Sequence, residues 1–344
     1  MNKKIILGLP AIFGLGHLIK ENLQYLGFEV IDISFDYRHF KYKNIFDRLT
    51  NLFYKTILKD KSYKDKLRFA AYQQTIKENL DAVTGRVDYA FIIRPDTYAE
   101  EILQLIKGKT DKLIGYQWDG IQRFPWIENF IPLFDRFFVF DPEDTQFANL
   151  QLPYLGNFYF TLPRLIQNPA PSQNLAYFVG TYSKERIEIL SQLHSLLSKT
   201  RLQISMHMYS RKKRTLPADQ QFIDLTTRTL SYEQNIETVK NAFLLIDITV
   251  DCHKGLSLRF FEALCFDKKL ITNNPDVQYY EFYHPDNIFI YGKDELSQFE
   301  SFIRKPYHTI DHNIKQKYSF DNWIRYALDI HPHIPIALPL MTND

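Results

Sequence analysis

Short apolar runs alternate with amphipathic stretches along the whole chain. KKIILGL (3–9), FEVIDIS (28–34), VDYAFIIR (87–94), KLIGYQW (112–118) and RFFVFD (136–141) are rich in Ile, Val, Leu, Phe and Tyr, the pattern of strands covered on both faces. Between them, apolar positions recur at three- and four-residue spacings over 17–26, 44–83 and 97–106, which predicts helices. Gly27 closes the first of these. The proline-rich, polar passage LPRLIQNPAPSQN (162–174) then reads as a linker. After it the alternation restarts. LAYFVG (175–180), LQISMHMY (202–209), QFIDL (221–225), AFLLIDIT (242–249), KLITN (269–273) and NIFIY (287–291) predict strands. Helices are expected over 183–197, over 233–241, within 255–268 and from 293 onward.

Strand–helix alternation in two successive sets predicts an α/β protein of two Rossmann-like domains facing a cleft. The divisions are 1–160, 161–318, and a C-terminal helix and tail over 319–344 that is free to pack back on the first domain. A length of 344 residues agrees, being too great for one ordinary core. With 45% apolar and 24% charged residues the chain has the composition of a folded protein. Its 42 basic and 40 acidic side chains leave a net charge of +2, so no global field points to a nucleic-acid partner. Cys252 and Cys265 form neither a disulfide framework nor a metal-ligand spacing, and suit reduced thiols inside a cell. The start, MNKKIILGLPAIFGLG, has a basic tip, but its apolar run is short and broken by Pro10, which favours a first strand over a leader. No run approaches the roughly 20 apolar residues that span a bilayer. The expected location is the cytoplasm, or the cytoplasmic face of an inner membrane.

The charge is uneven. Residues 37–68 hold ten Lys/Arg against three Asp, interleaved with Phe40, Tyr42, Phe46, Phe53 and Tyr54. This is a solvated helical face, a surface for anionic lipid, or a site for a phosphorylated glycolipid. The RKKR run at 211–214 reads as a solvent loop.

Candidate chemistry concentrates where loops leave strands. In DCHKGLSLRFFEAL (251–264), Gly255 permits close backbone approach, and the amides of Leu256 and Ser257 suit phosphate at a helix start. Arg259 adds a charge that can fork onto phosphate, and Glu262 stands one turn on, where it can accept from a ribose diol. An ordinary i,i+3 ion pair is the alternative. In FVGTYSKER (178–186), Gly180, Thr181 and Tyr182 form a turn before a helix, with Ser183 as diphosphate contact or N-cap and Lys184 or Arg186 nearby. Tyr209 and Ser210 leave the next strand and could wall a base. In the first set, PAIFGLGH (10–17) fails the dinucleotide pattern because Ile19 stands in the third glycine position, which leaves Asp32 without its usual meaning. Asp119, at the end of KLIGYQW, is the first candidate for a general base and His17 the second, with turn capping the alternative for Asp119. Arg94-Pro95-Asp96 is a further strand-end charge group, and Asp141-Pro-Glu-Asp reads as helix capping.

GLSLRFFEALCFDKKLITNN (255–274) resembles the donor-binding segment of GT-B glycosyltransferases. It is most similar to a bacterial lipopolysaccharide-biosynthesis group related to the CgeB-like glycosyltransferases, whose members read G-L-x-x-R-x-x-E-x-L, then a Lys-rich turn and L-I-T. YQWDGIQRFPWIENFIPLFDRFFVFDPED (116–144) resembles that group's N-terminal domain. The resemblance implies a metal-independent transferase with no cofactor beyond a nucleotide-sugar co-substrate. It places the donor on the second domain, with the Gly180 loop and Glu262 contacting it, and a surface-glycan or glycolipid acceptor on the first. Lys254 departs from the pattern. Many GT-B enzymes have a sugar-reading Glu there, seven residues intervening before the ribose Glu, so Lys254 meets a phosphate or an acidic sugar instead and Asp251 can supply a polar contact. A nucleotide-sugar epimerase of the same fold and a non-catalytic glycan-binding subunit stay open as alternatives.

Overall fold

The computed structural model describes residues 3–11, 14–36, 42, 44–58, 62–121, 125–167, 174–250 and 254–339. The chain divides into two compact units. One comprises Met1–Leu155 with Ala327–Ile330, and the other Gly156–Tyr326 with His331–Asp344.

In the first unit the elements run β1 (Lys4–Gly8), α1 (Leu15–Tyr25), β2 (Glu29–Asp32), α2 (Ile45–Thr56), α3 (Ser62–Ala70), α4 (Gln73–Asp81), β3 (Val87–Ile93), α5 (Glu100–Lys109), β4 (Thr110–Gln117) and β5 (Arg136–Val139). The five strands form one parallel sheet in the order β2-β1-β3-β4-β5. Ile5, Ile6, Leu7 and the run Ala90 to Ile93 are fully buried, as expected for parallel strands covered on both faces. Ile76 and Leu80 of α4 and Ile102, Leu103 and Ile106 of α5 pack over one face. Gly115 lets β4 approach its neighbours, since a Cβ there would lie 2.7 Å from the Phe137 ring and 2.9 Å from Phe134. Gly27, at φ 89°, turns the chain out of α1 in the left-handed region.

The second unit holds α6 (Pro163–Ile166), β6 (Leu175–Thr181), α7 (Lys184–Leu197), β7 (Gln203–Tyr209), β8 (Ile223–Thr226), α8 (Tyr232–Asn241), β9 (Leu244–Asp247), α9 (Leu258–Cys265), β10 (Lys269–Thr272), β11 (Ile288–Ile290), α10 (Phe299–Arg304), α11 (His312–Lys317) and α12 (Phe320–Leu328). Its six strands are parallel, in the order β11-β10-β9-β6-β7-β8. Ile187, Leu190, Leu193 and Leu197 of α7 cover one face, while Phe260, Phe261 and Leu264 of α9 cover the other. Trp323 of α12 is buried against Phe158, ring centroids 4.4 Å apart, and its indole donates to the Gly156 carbonyl at 2.8 Å. The last residues of α12, from Ala327, belong to the first unit, where the Ala327 carbonyl accepts from Arg136 of β5 at 3.2 Å.

Three of the boundaries that differ from the sequence pattern have a clear local reason. The helical stretch 44–83 is three helices, the first begun by Asn44, whose side chain accepts from the Asp47 amide at 2.7 Å. The helix expected from 97 starts at Glu100, because Arg94, at φ 58°, leads into a 3-10 turn over Pro95–Thr97. The helix of the 251–264 motif starts at Leu258, not at Gly255, because Ser257 is its cap. Among the described residues, no helix is long and apolar enough to cross a membrane.

Candidate functional site

The strand order of the second sheet reverses beside β6, with β7 and β8 on one side and β9 to β11 on the other. Loops leaving β6 and β9 diverge at such a point, where open α/β sheets bind their ligands. Arg186, in the first turn of α7, ties the two loops. Its Nε donates to the Ile248 carbonyl at 3.0 Å, and its Nη1 to the carbonyl and hydroxyl of Thr181 at 2.6 and 3.1 Å. The loops after β6 and β7 are joined as well, since the Tyr182 amide donates to the Tyr209 carbonyl at 2.8 Å. Thr181 is exposed, and Tyr182 and Tyr209 are half-buried. Gly180 has no room for a side chain, because a Cβ would lie 2.8 Å from the Phe178 ring. Ser183 caps α7 by position, but its hydroxyl bonds to Glu185.

On the β9 side, the Ser257 hydroxyl donates to Asp247 Oδ1 at 2.7 Å and accepts from the Arg259 amide at 3.2 Å. Asp247 is half-exposed by area, yet the surrounding protein desolvates it enough to push its carboxyl above the ordinary value, against the opposing pull of Ser257, Arg259 and Arg186. Gly255 and Leu256 are buried, Lys254 is half-buried, and the Leu256 carbonyl accepts from Asn157 at 2.8 Å. The sheet edge thus gathers Gly180, Thr181, Tyr182, Tyr209 and Ser257. Asp251 and Cys252 lie outside the described residues.

Arg259 and Glu262 face inward. They are 8% and 2% exposed. The guanidinium donates to Glu262 Oε2 at 2.5 Å and to Asn235 Oδ1 at 3.2 Å, and it lies over the Tyr177 ring at 5.6 Å. The Tyr177 hydroxyl donates to the same Asn235 oxygen at 3.2 Å. Burial, with the Glu262 carboxylate beside it, pushes the Tyr232 hydroxyl well above the ordinary phenol range. Cys265, one turn on, is pushed up to about 12 by burial, which leaves an unreactive thiol. The charges therefore compensate each other inside the unit, the condition under which a buried pair is tolerated.

In the first unit, Arg94 grips both oxygens of Asp96 at 2.7 and 2.8 Å and reaches Asp119 Oδ2 at 3.4 Å. The strand-end group at 94–96 and the base candidate Asp119 are thus one cluster at the ends of β3 and β4. Asp144 stands close by. It accepts from the Ile121 amide at 2.7 Å, and burial, reinforced by Asp141, Glu143 and Asp119, pushes its carboxyl up to about 6. Asp141 does cap, accepting from the Glu143 amide at 3.0 Å. His17 belongs to a different connection, exposed on the first turn of α1 with Glu21 at 3.8 Å.

Asp247 and Asn235 stand outside the sequence motifs, and Arg214 belongs to the run that reads as a solvent loop. Asp247 had a signal as the polar end of the buried run LLID, and Asn235 as an amide on the apolar stripe of α8 between Tyr232 and Ile236. The 211–214 loop is exposed as expected, yet the Arg214 guanidinium lies over the Tyr182 ring at 4.4 Å. A row of Ser205, His207 and Asp224 also has nucleophile–base spacing, at 2.8 and 2.9 Å. Ser205 sits mid-strand between β6 and β8, where backbone amides serve the sheet and not an oxyanion.

No protein-family model and no curated protein sequence matches the chain. Solved structures do match its fold. A glycosyltransferase from Rickettsia africae is 12% identical with a TM-score of 0.55, over 96% of this chain and 97% of its own. A trehalose-6-phosphate protein from E. coli, bound with UDP-2-fluoro glucose, is 11% identical with a TM-score of 0.56, over 96% and 100%. The lipopolysaccharide outer core galactosyltransferase WaaB is 14% identical with a TM-score of 0.50, over 95% and 99%. The fold is that of GT-B glycosyltransferases. At these identities the likeness extends to the two parallel sheets, and chemistry has to be argued from the chain's own residues.

Proposed function

We propose that this protein transfers a sugar from a nucleotide sugar to a glycan or glycolipid acceptor of a bacterial surface polymer, lipopolysaccharide or capsule. The observation that carries the reading is the edge of the second sheet, where Arg186 ties the β6 and β9 loops at the point of strand reversal. The GT-B fold supports it, as does the protein of that fold bound with UDP-2-fluoro glucose. In this reading Thr181, Tyr182 and Tyr209 flank the nucleotide. Lys254, Ser257 and the backbone at Gly255 and Leu256 meet its phosphate, where backbone amides and a cation stabilise a departing diphosphate. Arg259 and Glu262 fix the start of α9 from within, and contact between Glu262 and a ribose requires a carboxylate that is 2% exposed here to be uncovered. Asp119 is the base that takes the acceptor's proton, with His17 the second candidate.

The test is a melting-temperature panel of UDP, GDP, ADP and CMP with their sugars. At least one should stabilise the protein, by about 2.7 kcal/mol at a hundred times its dissociation constant. Arg186→Met should remove that shift while lowering the basal melting temperature only slightly, since the side chain is half-exposed. A panel in which nothing shifts the transition rejects the donor site. With the matching sugar nucleotide, release of nucleotide that depends on added acceptor separates transfer from epimerisation and from simple binding.

A further inference from the structure

Helix α2 turns its apolar side outward. Ile45, Phe46, Leu49, Leu52, Phe53 and Ile57 are between 52% and 74% exposed, and no residue of the helix is buried. Helical geometry puts these six on one arc. The opposite side carries Asp47, Thr50, Asn51 and Tyr54, and these are the positions partly covered by protein. Tyr54 stacks on Tyr63 of α3, centroids 4.8 Å apart. A surface helix ordinarily does the reverse, hiding its apolar stripe. Asn44 caps α2, so the helix is locally specified even though its apolar face is bare.

The chemistry of the border identifies what covers that face. Arg48 and Lys55 are exposed and flank the apolar arc along one edge. Along the sequence, residues 37–68 carry ten Lys/Arg against three Asp. A second copy of the chain in a twofold contact would bring two basic borders together, which like-charge repulsion opposes. An anionic bilayer answers both features, taking the apolar arc at the acyl boundary while the long basic stems reach back to the headgroups.

We infer that α2 docks this protein on an anionic lipid bilayer, with Phe46, Leu49 and Phe53 entering the interface and Arg48 and Lys55 on the headgroups. The inference stands on α2 alone and does not depend on the transferase reading, although a lipid-linked acceptor would be met at the same surface. Co-sedimentation of the full chain with vesicles tests it, using phosphatidylcholine with about one-third phosphatidylglycerol against phosphatidylcholine alone. The protein should pellet with the anionic vesicles, and less so as salt screens the headgroups. Phe46→Ser/Phe53→Ser should lower the partition coefficient about tenfold or more. Its melting temperature should change little, because both side chains are more than half exposed. Arg48→Gln/Lys55→Gln should remove the preference for anionic over neutral vesicles. A chain that stays in the supernatant with both vesicle types overturns the inference. A concentration-dependent dimer that Phe46→Ser/Phe53→Ser breaks would then name a second copy as the occupant.

Discussion

Buried charge on α9 is balanced within one helical turn. Glu262→Ala would leave the Arg259 guanidinium inside the unit without its carboxylate, a change that typically costs about 3–5 kcal/mol. Arg259→Met/Glu262→Leu removes both charges at similar volume, and such replacements are often neutral. Thermal unfolding should therefore show Glu262→Ala strongly destabilised and the double variant melting near the parent. If the pair also serves donor binding, the folded double variant loses the nucleotide-induced shift; a full shift confines the pair to packing. Asp144 makes a prediction of opposite kind. Its carboxyl titrates near 6 in the folded chain against 3.8 for an ordinary aspartate, so the folded state holds a proton that the unfolded state gives up. The stability from this group is full below the ordinary value and is lost as pH rises through about 6. Asp144→Asn keeps an acceptor for the Ile121 amide without the charge. It should be more stable than the parent near neutral pH, by about 1–2 kcal/mol, with the advantage gone in mild acid. Melting temperatures of both proteins across that pH range decide it.

At the scale of elements, the strands of both sheets were legible because parallel strands covered on both faces read as apolar runs. Val87–Ile93 and Leu175–Thr181 lie within a residue of where the pattern puts them. Element ends were less legible, since a single side chain sets each one. Ser257 moves the start of α9 past Gly255, and the left-handed Arg94 delays α5. The direction in which α2 faces was not legible at all. Periodicity gives a stripe, and only its neighbours decide whether that stripe is covered. The sequence pattern also put Arg259 and Glu262 on one side of a helix, as they are, without showing that Asn235 and Tyr177 close over them.

For the whole molecule, the two units carry separate predictions. The exposed face of α2 belongs to the first, and the edge joined by Arg186 and Ser257 to the second. Phe46→Ser/Phe53→Ser should then weaken vesicle binding about tenfold or more and keep the full nucleotide-induced melting shift. Loss of both together would show that the two surfaces are coupled. Residue order alone determined the α/β class, the doubling of the strand–helix pattern and the strand-end loops where candidate chemistry lies, because hydrophobic period and turn residues are local properties. Tertiary structure decided which of those loops share an edge, that a charged pair suited to a ligand is turned inward on its own partners, and that an apolar stripe is turned outward. Strand order and side-chain burial depend on contacts between residues far apart in the chain, and no local pattern carries that information.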